Sequence, residues 1–430
     1  MNNAVVIGAG VAGIQTAMDI ANHNIHVYLI EREPSIGGHM AMLDKTFPTN
    51  DCSMCILSPK MAEVARHPNV TILTMADVQS ITPSPAGEAA GYTVSVKIRP
   101  RFINENECTG CGECVDVCPV EVYNKFDAGL GVRKAIYKPH AQVVPNLVVK
   151  DNVHCIECGL CYDTCGKHAI LHEDAERELA IEANSVVIAT GYTLFDAQKL
   201  SRFGYLRCAD VITSLEFERM QNAGGPTHGE LRRLSDGSTP KSVVFVQCVG
   251  SRNTAIGRNL CSCVCCMYAL KNAMLIREHY PQTEVTILYT DIRAYGKGYE
   301  EYYERAKKLG VHIVRAFPGD VQQSPAGLVI PIEDTETREM KNLEAGLVIL
   351  SVGMEPEPDT VKLAGALGLP LDANGFLSPA DMKLNPAGTM NPGIYIAGAA
   401  LAPKDIPDCV MSAGAAAMKA VINEEKRRTA

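Results

Sequence analysis

The sequence predicts an α/β fold in which a dinucleotide-binding domain is interrupted by a cysteine-rich insert, and three observations support this prediction. A glycine-rich turn at residues 8–13 lies inside a strand–helix–strand unit. Two runs of four cysteines with the same spacing lie between residues 108 and 165. A second strand–helix–strand pattern begins near residue 241, and it carries cysteines where a nucleotide-binding turn would carry glycines.

Composition and charge argue against several classes of function. The 430-residue chain has a net charge of −9 and no run rich in Lys or Arg, so nucleic acid is not an expected partner. No apolar run reaches the roughly 18 residues of a membrane span, and the start lacks the basic and cleavage regions of a signal peptide. The abundant thiols are therefore expected to be metal ligands or redox groups in a reducing cytoplasm. The lone Cys208 and Cys409 are expected to be core residues.

The first glycine-rich turn has the full context of a dinucleotide site. The turn GAGVAG follows a β-branched strand, opens a helical stretch, and precedes an acidic residue about 20 positions later. Gly8 is expected to make the tight turn, and Gly10 to let a pyrophosphate approach the helix N-terminus. Gly13 is expected to permit close helix–strand packing, and Glu31 to accept hydrogen bonds from ribose hydroxyls. The alternative is an ordinary glycine turn.

Three later segments favour FAD as the ligand. EREPSIGG (31–38), SVVIATG (185–191) and GIYIAGA (393–399) resemble, in this order, segments of two-dinucleotide-binding flavoproteins with a thioredoxin reductase-like fold. This resemblance implies FAD as a cofactor, bound by Gly8, Gly10, Val11, Ala12, Gly13, Glu31, Arg32, Gly38, Ala189, Thr190, Gly191 and Gly398.

The insert has the cysteine spacing of a ferredoxin-like domain that binds two [4Fe–4S] clusters. Each run has three cysteines two residues apart and a fourth three residues further on, and in such runs the fourth cysteine ligates the other cluster. We therefore assign Cys108, Cys111, Cys114 and Cys165 to one cluster, and Cys155, Cys158, Cys161 and Cys118 to the other. Zinc is the alternative, but a zinc ribbon has two CxxC knuckles, not two four-cysteine runs.

The second strand–helix–strand unit lacks a phosphate cradle. Its first strand, KSVVFV (241–246), runs into QCVGSR, so NAD(P)H binding is not expected. Five cysteines follow within nineteen residues. We expect a third iron–sulfur cluster on Cys248, Cys261, Cys265 and Cys266, with Cys263 as an additional thiol beside it. A zinc site or a redox dithiol is the alternative, because adjacent cysteines are not a standard cluster spacing.

The predicted domain order follows from these motifs. Residues 1–100 form the first part of an FAD-binding domain, and residues 101–175 form the inserted ferredoxin-like domain. Residues 176–240 are the second part of the FAD-binding domain with a linker. Residues 241–350 form the NAD-domain-like unit with cysteines in place of the nucleotide motif, and residues 351–430 form the third part of the FAD-binding domain.

Together these features resemble the HdrA family, the flavin-binding component of heterodisulfide reductases. The resemblance rests on the FAD turn, the two-cluster insert, DCSMCILSPK (51–60), CVGSR (248–252), the Cys265-Cys266-x4-Lys271 motif, and Gly398 followed by PKDIP (403–407). It implies a flavin and iron–sulfur protein that transfers electrons inside a multi-subunit complex. It also adds Asp405 and Ile406 to the FAD site.

Two further sites remain open. The resemblance implies a catalytic role for Lys271 near the flavin N5 atom, whereas the alternative is a solvated helix residue. Cys52 and Cys55 are expected on a loop or at a helix start, where they are half of a cluster site completed by a partner, a redox pair, or two buried thiols. A C-terminal helix over residues 408–423 is expected to carry Met411, Met418 and Val421 on its apolar side.

The expected function is electron transfer as an oxidoreductase component. In the resembled family the flavin is the site of electron bifurcation or confurcation, and the partners are HdrB/HdrC-like or MvhD-like redox proteins, with a homodimer left open. The chain lacks the extra N-terminal and C-terminal domains of longer members, so another component is expected to supply the low-potential branch. Its length suggests a class II benzoyl-CoA reductase-type complex. One alternative is an NAD(P)H-dependent flavin oxidoreductase resembling the glutamate synthase small subunit. The other is a scaffold with a vestigial flavin site.

Overall fold

The computed structural model describes residues 3–84, 91–325 and 327–429. The helices are α1 (Val11–Ala21), α2 (Ser53–Arg66), α3 (Glu113–Asp116), α4 (Leu160–Thr164), α5 (Ser214–Gln221), α6 (Cys265–His279), α7 (Tyr299–Lys308), α8 (Pro358–Leu367) and α9 (Ile406–Thr429).

The strands of the first half of the chain are β1 (Asn3–Ile7), β2 (His26–Ile30), β3 (Lys45–Thr46), β4 (Asp51–Cys52), β5 (Val70–Leu73), β6 (Ala76–Pro83), β7 (Tyr92–Ile98), β8 (Glu121–Tyr123), β9 (Val132–Lys134), β10 (Ile136–Tyr137), β11 (Val149–Lys150), β12 (Arg177–Ala183), β13 (Ser185–Ile188), β14 (Tyr192–Leu194) and β15 (Val211–Thr213). Those of the second half are β16 (Ser242–Val249), β17 (Glu284–Tyr289), β18 (His312–Pro318), β19 (Gln322–Ser324), β20 (Gly327–Asp334), β21 (Glu339–Ala345), β22 (Leu347–Val352), β23 (Met354–Pro356) and β24 (Ile394–Ile396).

The chain divides into two compact units. Unit 1 comprises residues 1–41, 54–192 and 356–430, and unit 2 comprises residues 42–53 and 193–355. The structure differs here from the predicted domain order, because residues 193–240 belong to unit 2 and not to the FAD-binding segments. The reason is local: β15 pairs with β22 in the sheet of unit 2. Residues 42–53 also join unit 2, which no sequence pattern indicated.

Unit 1 is built on a parallel sheet with strand order β24–β13–β1–β2–β5. The central strands are continuous β-branched runs, as expected where helices or other strands cover both faces. Helices α1 and α9 pack against the sheet through one apolar cluster. A second, antiparallel sheet has the order β12–β7–β6. The cysteine-rich insert leaves this sheet after β7 and returns at β12, so the sheet anchors both ends of the insert.

Helix α9 corrects one prediction. Val421 is buried, as expected, but Met411 is 66% exposed and Met418 is 45% exposed. The inward face consists mainly of four alanines, which bring α9 close to α1: Ala413, Ala416, Ala417 and Ala420. The helical repeat of 3.6 residues places both methionines on the opposite side of the helix. The prediction that Met411 and Met418 face the core was therefore wrong.

Unit 2 contains a mixed sheet with strand order β15–β22–β16–β17–β18–β20–β19, and β21 pairs with β20. The segment β16–α6–β17–α7–β18 is a parallel repeat with α6 and α7 as the crossover helices. Apolar clusters cover both faces of this sheet. Helix α7 is amphipathic: Tyr299, Tyr302 and Ala306 are buried at helical spacing, and its remaining face is largely exposed. The scaffold of a nucleotide-binding unit is therefore present in unit 2.

Candidate functional site

The first turn of unit 1 has the geometry of a dinucleotide cradle. Gly8 has a φ of +96°, and a side chain there would meet the Ala189 carbonyl oxygen at 2.5 Å. A side chain on Gly13 would lie 1.8 Å from the Gly8 carbonyl oxygen. Both glycines are therefore required by close backbone packing, as predicted.

Gly10 is in a different situation, because its nearest described atom, the Cα of Gly38, is 4.0 Å from the position of an added Cβ. Gly10 precedes α1, and no side chain of the described residues caps the N-terminus of that helix. The amides of Val11, Ala12 and Gly13 at this terminus can therefore bind an anion, as a pyrophosphate site requires. Gly38 has a φ of +56° and closely faces Gly10.

Glu31 follows β2 beside this cradle and is itself held by the backbone. Its Oε2 atom accepts from the Ala9 amide at 2.9 Å, and its Oε1 atom accepts from the Glu33 amide at 2.9 Å. Burial raises the pKa of the Glu31 carboxyl, and the two amide hydrogen bonds oppose that effect. Arg32 turns away to pair with Glu357 at 3.0 Å and Asp359 at 2.6 Å.

Some of the later predicted residues border the same cradle: Ala189 and Thr190 lie against Gly8, and Gly398 lies against Ala12. Thr190 Oγ1 shares a hydrogen bond of 2.5 Å with Thr360 Oγ1, and Gly191 has a φ of +76° with no described atom within 4 Å of an added Cβ. An added Cβ on Gly398 would meet the Ala12 Cβ at 2.6 Å. Asp405 Oδ1 accepts from the Asp408 amide at 2.9 Å, so Asp405 acts as a cap where Ile406 begins α9. The chain thus fits a dinucleotide at this cradle.

In the first ferredoxin-type cysteine set, Cys114 is buried in the apolar cluster of the insert, Cys108 and Cys165 pack against that cluster, and Cys111 is exposed. Burial raises the pKa of the Cys114 thiol to about 12, and the negative charges of neighbouring thiolates add to this effect. Those neighbours are Cys108, Cys111, Cys165 and Cys161. Three of them are the predicted partners of Cys114, including Cys165, which lies in the other run.

The second set lines a cavity of about 410 Å³. Cys155, Cys158 and Cys161 of the second run border this cavity together with Cys118 of the first run. Lys150 also lines the cavity, and its charge opposes the burial that raises the pKa of the Cys161 thiol. The structure therefore brings together the four cysteines that the spacing assigns to one cluster, with the fourth ligand crossing between runs.

The third set gathers at the start of α6. Burial and the charges of Cys248 and Cys261 raise the pKa of the Cys266 thiol to about 11, and burial with the same neighbours raises the pKa of Cys265. All four predicted ligands therefore lie close enough to interact. Within the described residues, no group of three or more His, Cys, Asp or Glu side chains has the close arrangement that a single metal ion needs.

Cys263 lies beside this set. Its Sγ atom donates to the Cys261 carbonyl oxygen at 3.4 Å, and its amide donates to the Cys261 Sγ atom at 3.4 Å. Hydrogen bonding from Cys263 lowers the pKa of the Cys261 thiol to about 6. A neighbouring donor stabilises a thiolate, so Cys263 favours the thiolate form of Cys261.

The unit 2 turn that replaces the nucleotide motif is filled by protein. An added Cβ on Gly250 would lie 2.0 Å from the Phe195 ring, whereas Gly10 of unit 1 has open space. The first turn of α6 presents Cys265 and Cys266 in place of close-approach glycines. A pyrophosphate therefore lacks the approach to α6 that it has to α1.

Cys52 ends β4, and Cys55 lies in the first turn of α2. Among the described residues, which include every cysteine, these two are disulfide-bonded and the other fifteen are free thiols. Cys55 is exposed, so the interpretation of two buried thiols was wrong. Cys208 and Cys409 are buried, as expected of core cysteines.

Lys271 is fully buried in unit 2, so the alternative of a solvated helix residue was wrong. Its Nζ atom lies 2.5 Å from Glu218 Oε1 and donates to the Lys45 carbonyl oxygen at 3.0 Å. Glu218 also accepts from Asn272 Nδ2 at 2.9 Å and from the Asp44 amide at 3.0 Å. Sequence reasoning missed Glu218. The capping box of Thr213 and Glu216 marks the start of α5, but no local signal shows that Glu218 is buried.

A match to a protein-family model shows which family the chain belongs to. The model described as pyridine nucleotide-disulphide oxidoreductase matches residues 2–420. The chain belongs to this family. It is therefore an oxidoreductase, as predicted. Among the described residues, no helix is both long and apolar enough to cross a membrane.

Curated relatives confirm the resemblance seen in the motifs. The A-type iron–sulfur subunit of CoB–CoM heterodisulfide reductase from Methanocaldococcus jannaschii is 49% identical over 96% of the chain and 63% of its own length. The A-type subunit of H2:CoB–CoM heterodisulfide, ferredoxin reductase from Methanothermobacter thermautotrophicus is 46% identical over 98% of the chain and 64% of its own length. The chain thus spans a little less than two thirds of these relatives.

Solved structures confirm the predicted fold class. A thioredoxin reductase from T. acidophilum has a TM-score of 0.54 at 15% identity, covering 98% of this chain and 99% of that one. A thioredoxin reductase from Lactococcus lactis has a TM-score of 0.55 at 15% identity, covering 99% of this chain and 100% of that one. At this identity the likeness concerns the fold alone.

Proposed function

We propose that the chain is an FAD and iron–sulfur electron-transfer protein of the HdrA type, acting within a heterodisulfide-reductase-type complex. The observation that carries the proposal is the placement of Cys118 with the three cysteines of the other run around one cavity. Such crossed ligation is the arrangement of two-cluster ferredoxins. The names of the relatives, which include iron–sulfur subunits of heterodisulfide reductase, support it.

In this proposal each cofactor has a defined set of residues. The α1 N-terminus and Gly10 hold the FAD pyrophosphate, and Glu31 faces the ribose. The three cysteine sets hold three [4Fe–4S] clusters. When bound, FAD exchanges electrons in pairs or singly, whereas the clusters exchange them one at a time. The residues of the chain position these groups and adjust their potentials through hydrogen bonds, burial and charge.

The finer proposal concerns the flavin and the partners. One relative is named for hydrogen, a heterodisulfide and ferredoxin together, which supports the flavin as a point of electron bifurcation or confurcation. The partners are then other redox proteins of the HdrB, HdrC or MvhD type. The benzoyl-CoA reductase-type setting is decided by anaerobic purification from native cells and identification of the proteins that co-purify.

The glycine cradle makes a prediction about flavin content. Gly10→Ala places a methyl group where the pyrophosphate is proposed to approach. The methyl group meets no described protein atom closer than 4.0 Å, so the substitution should not disturb the fold. We expect a folded protein whose bound FAD falls roughly tenfold, because the close backbone approach is lost. Absorbance at the flavin band after anaerobic purification measures this. Gly365→Ala in α8, another open position, is the matched control and should retain FAD. Full flavin content in Gly10→Ala would contradict the cradle.

The filled turn of unit 2 makes a prediction about nicotinamide cofactors. Mixing the isolated protein anaerobically with NADH or NADPH in a stopped-flow instrument should leave the flavin oxidised, because no phosphate cradle faces α6. Dithionite should reduce the same sample, which shows that the flavin is competent. Rapid bleaching by NADH or NADPH would instead favour the glutamate synthase small-subunit type of enzyme.

A further inference from the structure

One arginine in unit 2 joins the third cysteine set to a carboxylate. Arg252 lies four residues after Cys248, and its amide donates to the Leu260 carbonyl oxygen at 3.1 Å. Its φ of +52° is a left-handed conformation that non-glycine residues adopt at a cost. A strained backbone at this position persists only where the surrounding contacts hold it, and the side chain supplies such contacts.

The guanidinium group of Arg252 is fixed by Asp291. Its Nη1 atom donates to Asp291 Oδ1 at 2.8 Å, and its Nη2 atom donates to Asp291 Oδ2 at 2.9 Å. This bidentate geometry sets the orientation of the planar group. A guanidinium has five N–H donors, and the pair with Asp291 uses two of them.

The guanidinium group also lies beside the third cysteine set. Arg252 lies close enough to Cys248 and Cys261 for favourable electrostatic interactions with both thiolates. Asp291 faces the same set, since the Cys266 Sγ atom lies 3.8 Å from its carbonyl oxygen. The third set therefore has a fixed cation beside Cys248 and Cys261, and that cation is paired with an anion.

We propose that Arg252, oriented by Asp291, is a positioning residue that raises the reduction potential of the cluster held by Cys248, Cys261, Cys265 and Cys266. This inference rests on the proposed function. Reduction by a one-electron donor adds one negative charge to a [4Fe–4S] cluster. A fixed cation close to the ligand sulfurs stabilises that reduced form more than the oxidised form. The carboxylate of Asp291 opposes the effect through its own charge.

The two residues therefore have opposite expected effects on one potential. In anaerobic titrations with dithionite followed by electron paramagnetic resonance, Arg252→Gln should lower the midpoint of the third cluster. We expect the reduced-to-oxidised ratio at a given potential to fall about tenfold, which is about 59 mV for one electron. Asp291→Asn should raise the same midpoint. The two ferredoxin-type clusters should keep their midpoints in both variants.

A matched control is Arg258→Gln, which removes an arginine of the same loop that pairs with Glu355. It should leave all midpoints unchanged. A third-cluster midpoint that does not move in Arg252→Gln, or that moves together with the other two, would overturn the inference. If the Arg252→Gln variant does not retain its iron, the Asp291→Asn variant tests the inference. A purely structural role of the Arg252–Asp291 pair predicts no upward shift of the third-cluster midpoint in that variant. Absence of the third cluster from the unsubstituted protein would contradict the proposed function instead.

Discussion

Replacing Cys265 with serine is expected to lower the iron content from about twelve to about eight atoms per chain, because one four-iron cluster is lost. Cys265 is buried at the start of α6 and interacts with the other members of its set, so its replacement removes one of the four predicted ligands. Iron analysis of anaerobically prepared protein measures the loss. The cysteines of the two proposed ferredoxin-type clusters belong to unit 1, so those clusters should remain.

The control for this substitution is Cys263→Ser. Cys263 touches Cys261 but is not among the four predicted ligands, and its replacement should leave the iron content at about twelve. Equal iron loss in both variants would show that the assignment within the set is wrong. An unchanged iron content in Cys265→Ser would contradict the assignment of a third cluster to this set.

Replacing Lys271 with methionine is expected to destabilise the protein by about 3–5 kcal/mol, because Glu218 is left as an uncompensated buried charge. The ion pair has side-chain exposures of only 1% and 4%. Asn272 and the Asp44 amide still donate to Glu218, but neither carries a positive charge. Urea denaturation followed by circular dichroism measures the change in the free energy of unfolding.

Two further variants make this experiment specific. Lys307→Met removes an exposed ion pair with Glu304 in the same unit, and it should change the free energy of unfolding little, because solvent screens an exposed pair. The double variant Lys271→Met with Glu218→Gln removes the stranded charge and should recover part of the lost stability. A Lys271→Met protein as stable as Lys307→Met would contradict the importance of the buried pair.

The parts of the fold that the sequence predicted are those with local causes. The turn from Gly8 to Gly13 is recognisable because backbone packing demands glycine at fixed offsets. The grouping of Cys118 with the second run follows from the spacing rule of two-cluster ferredoxins. The absence of glycine-rich spacing after β16 likewise indicated a turn with no room for a pyrophosphate.

The parts that could not be predicted depend on contacts between distant positions. Glu218 and Lys271 are 53 residues apart, and Arg252 and Asp291 are 39 residues apart. No periodicity or spacing pairs such residues. The membership of residues 42–53 in unit 2 has the same origin. On α9, the apolar side chains of Met411 and Met418 suggested core positions. The small alanines instead occupy the inner face, where they allow α9 to pack close to α1.

The central claim is that thiolates of a third iron–sulfur cluster stand where the second nucleotide cradle would be. Joint determination of iron, FAD and bound nicotinamide in one freshly prepared anoxic sample tests it most directly. We predict about twelve iron atoms and one FAD per chain, without nicotinamide. About eight iron atoms together with stoichiometric NADH or NADPH would contradict the claim.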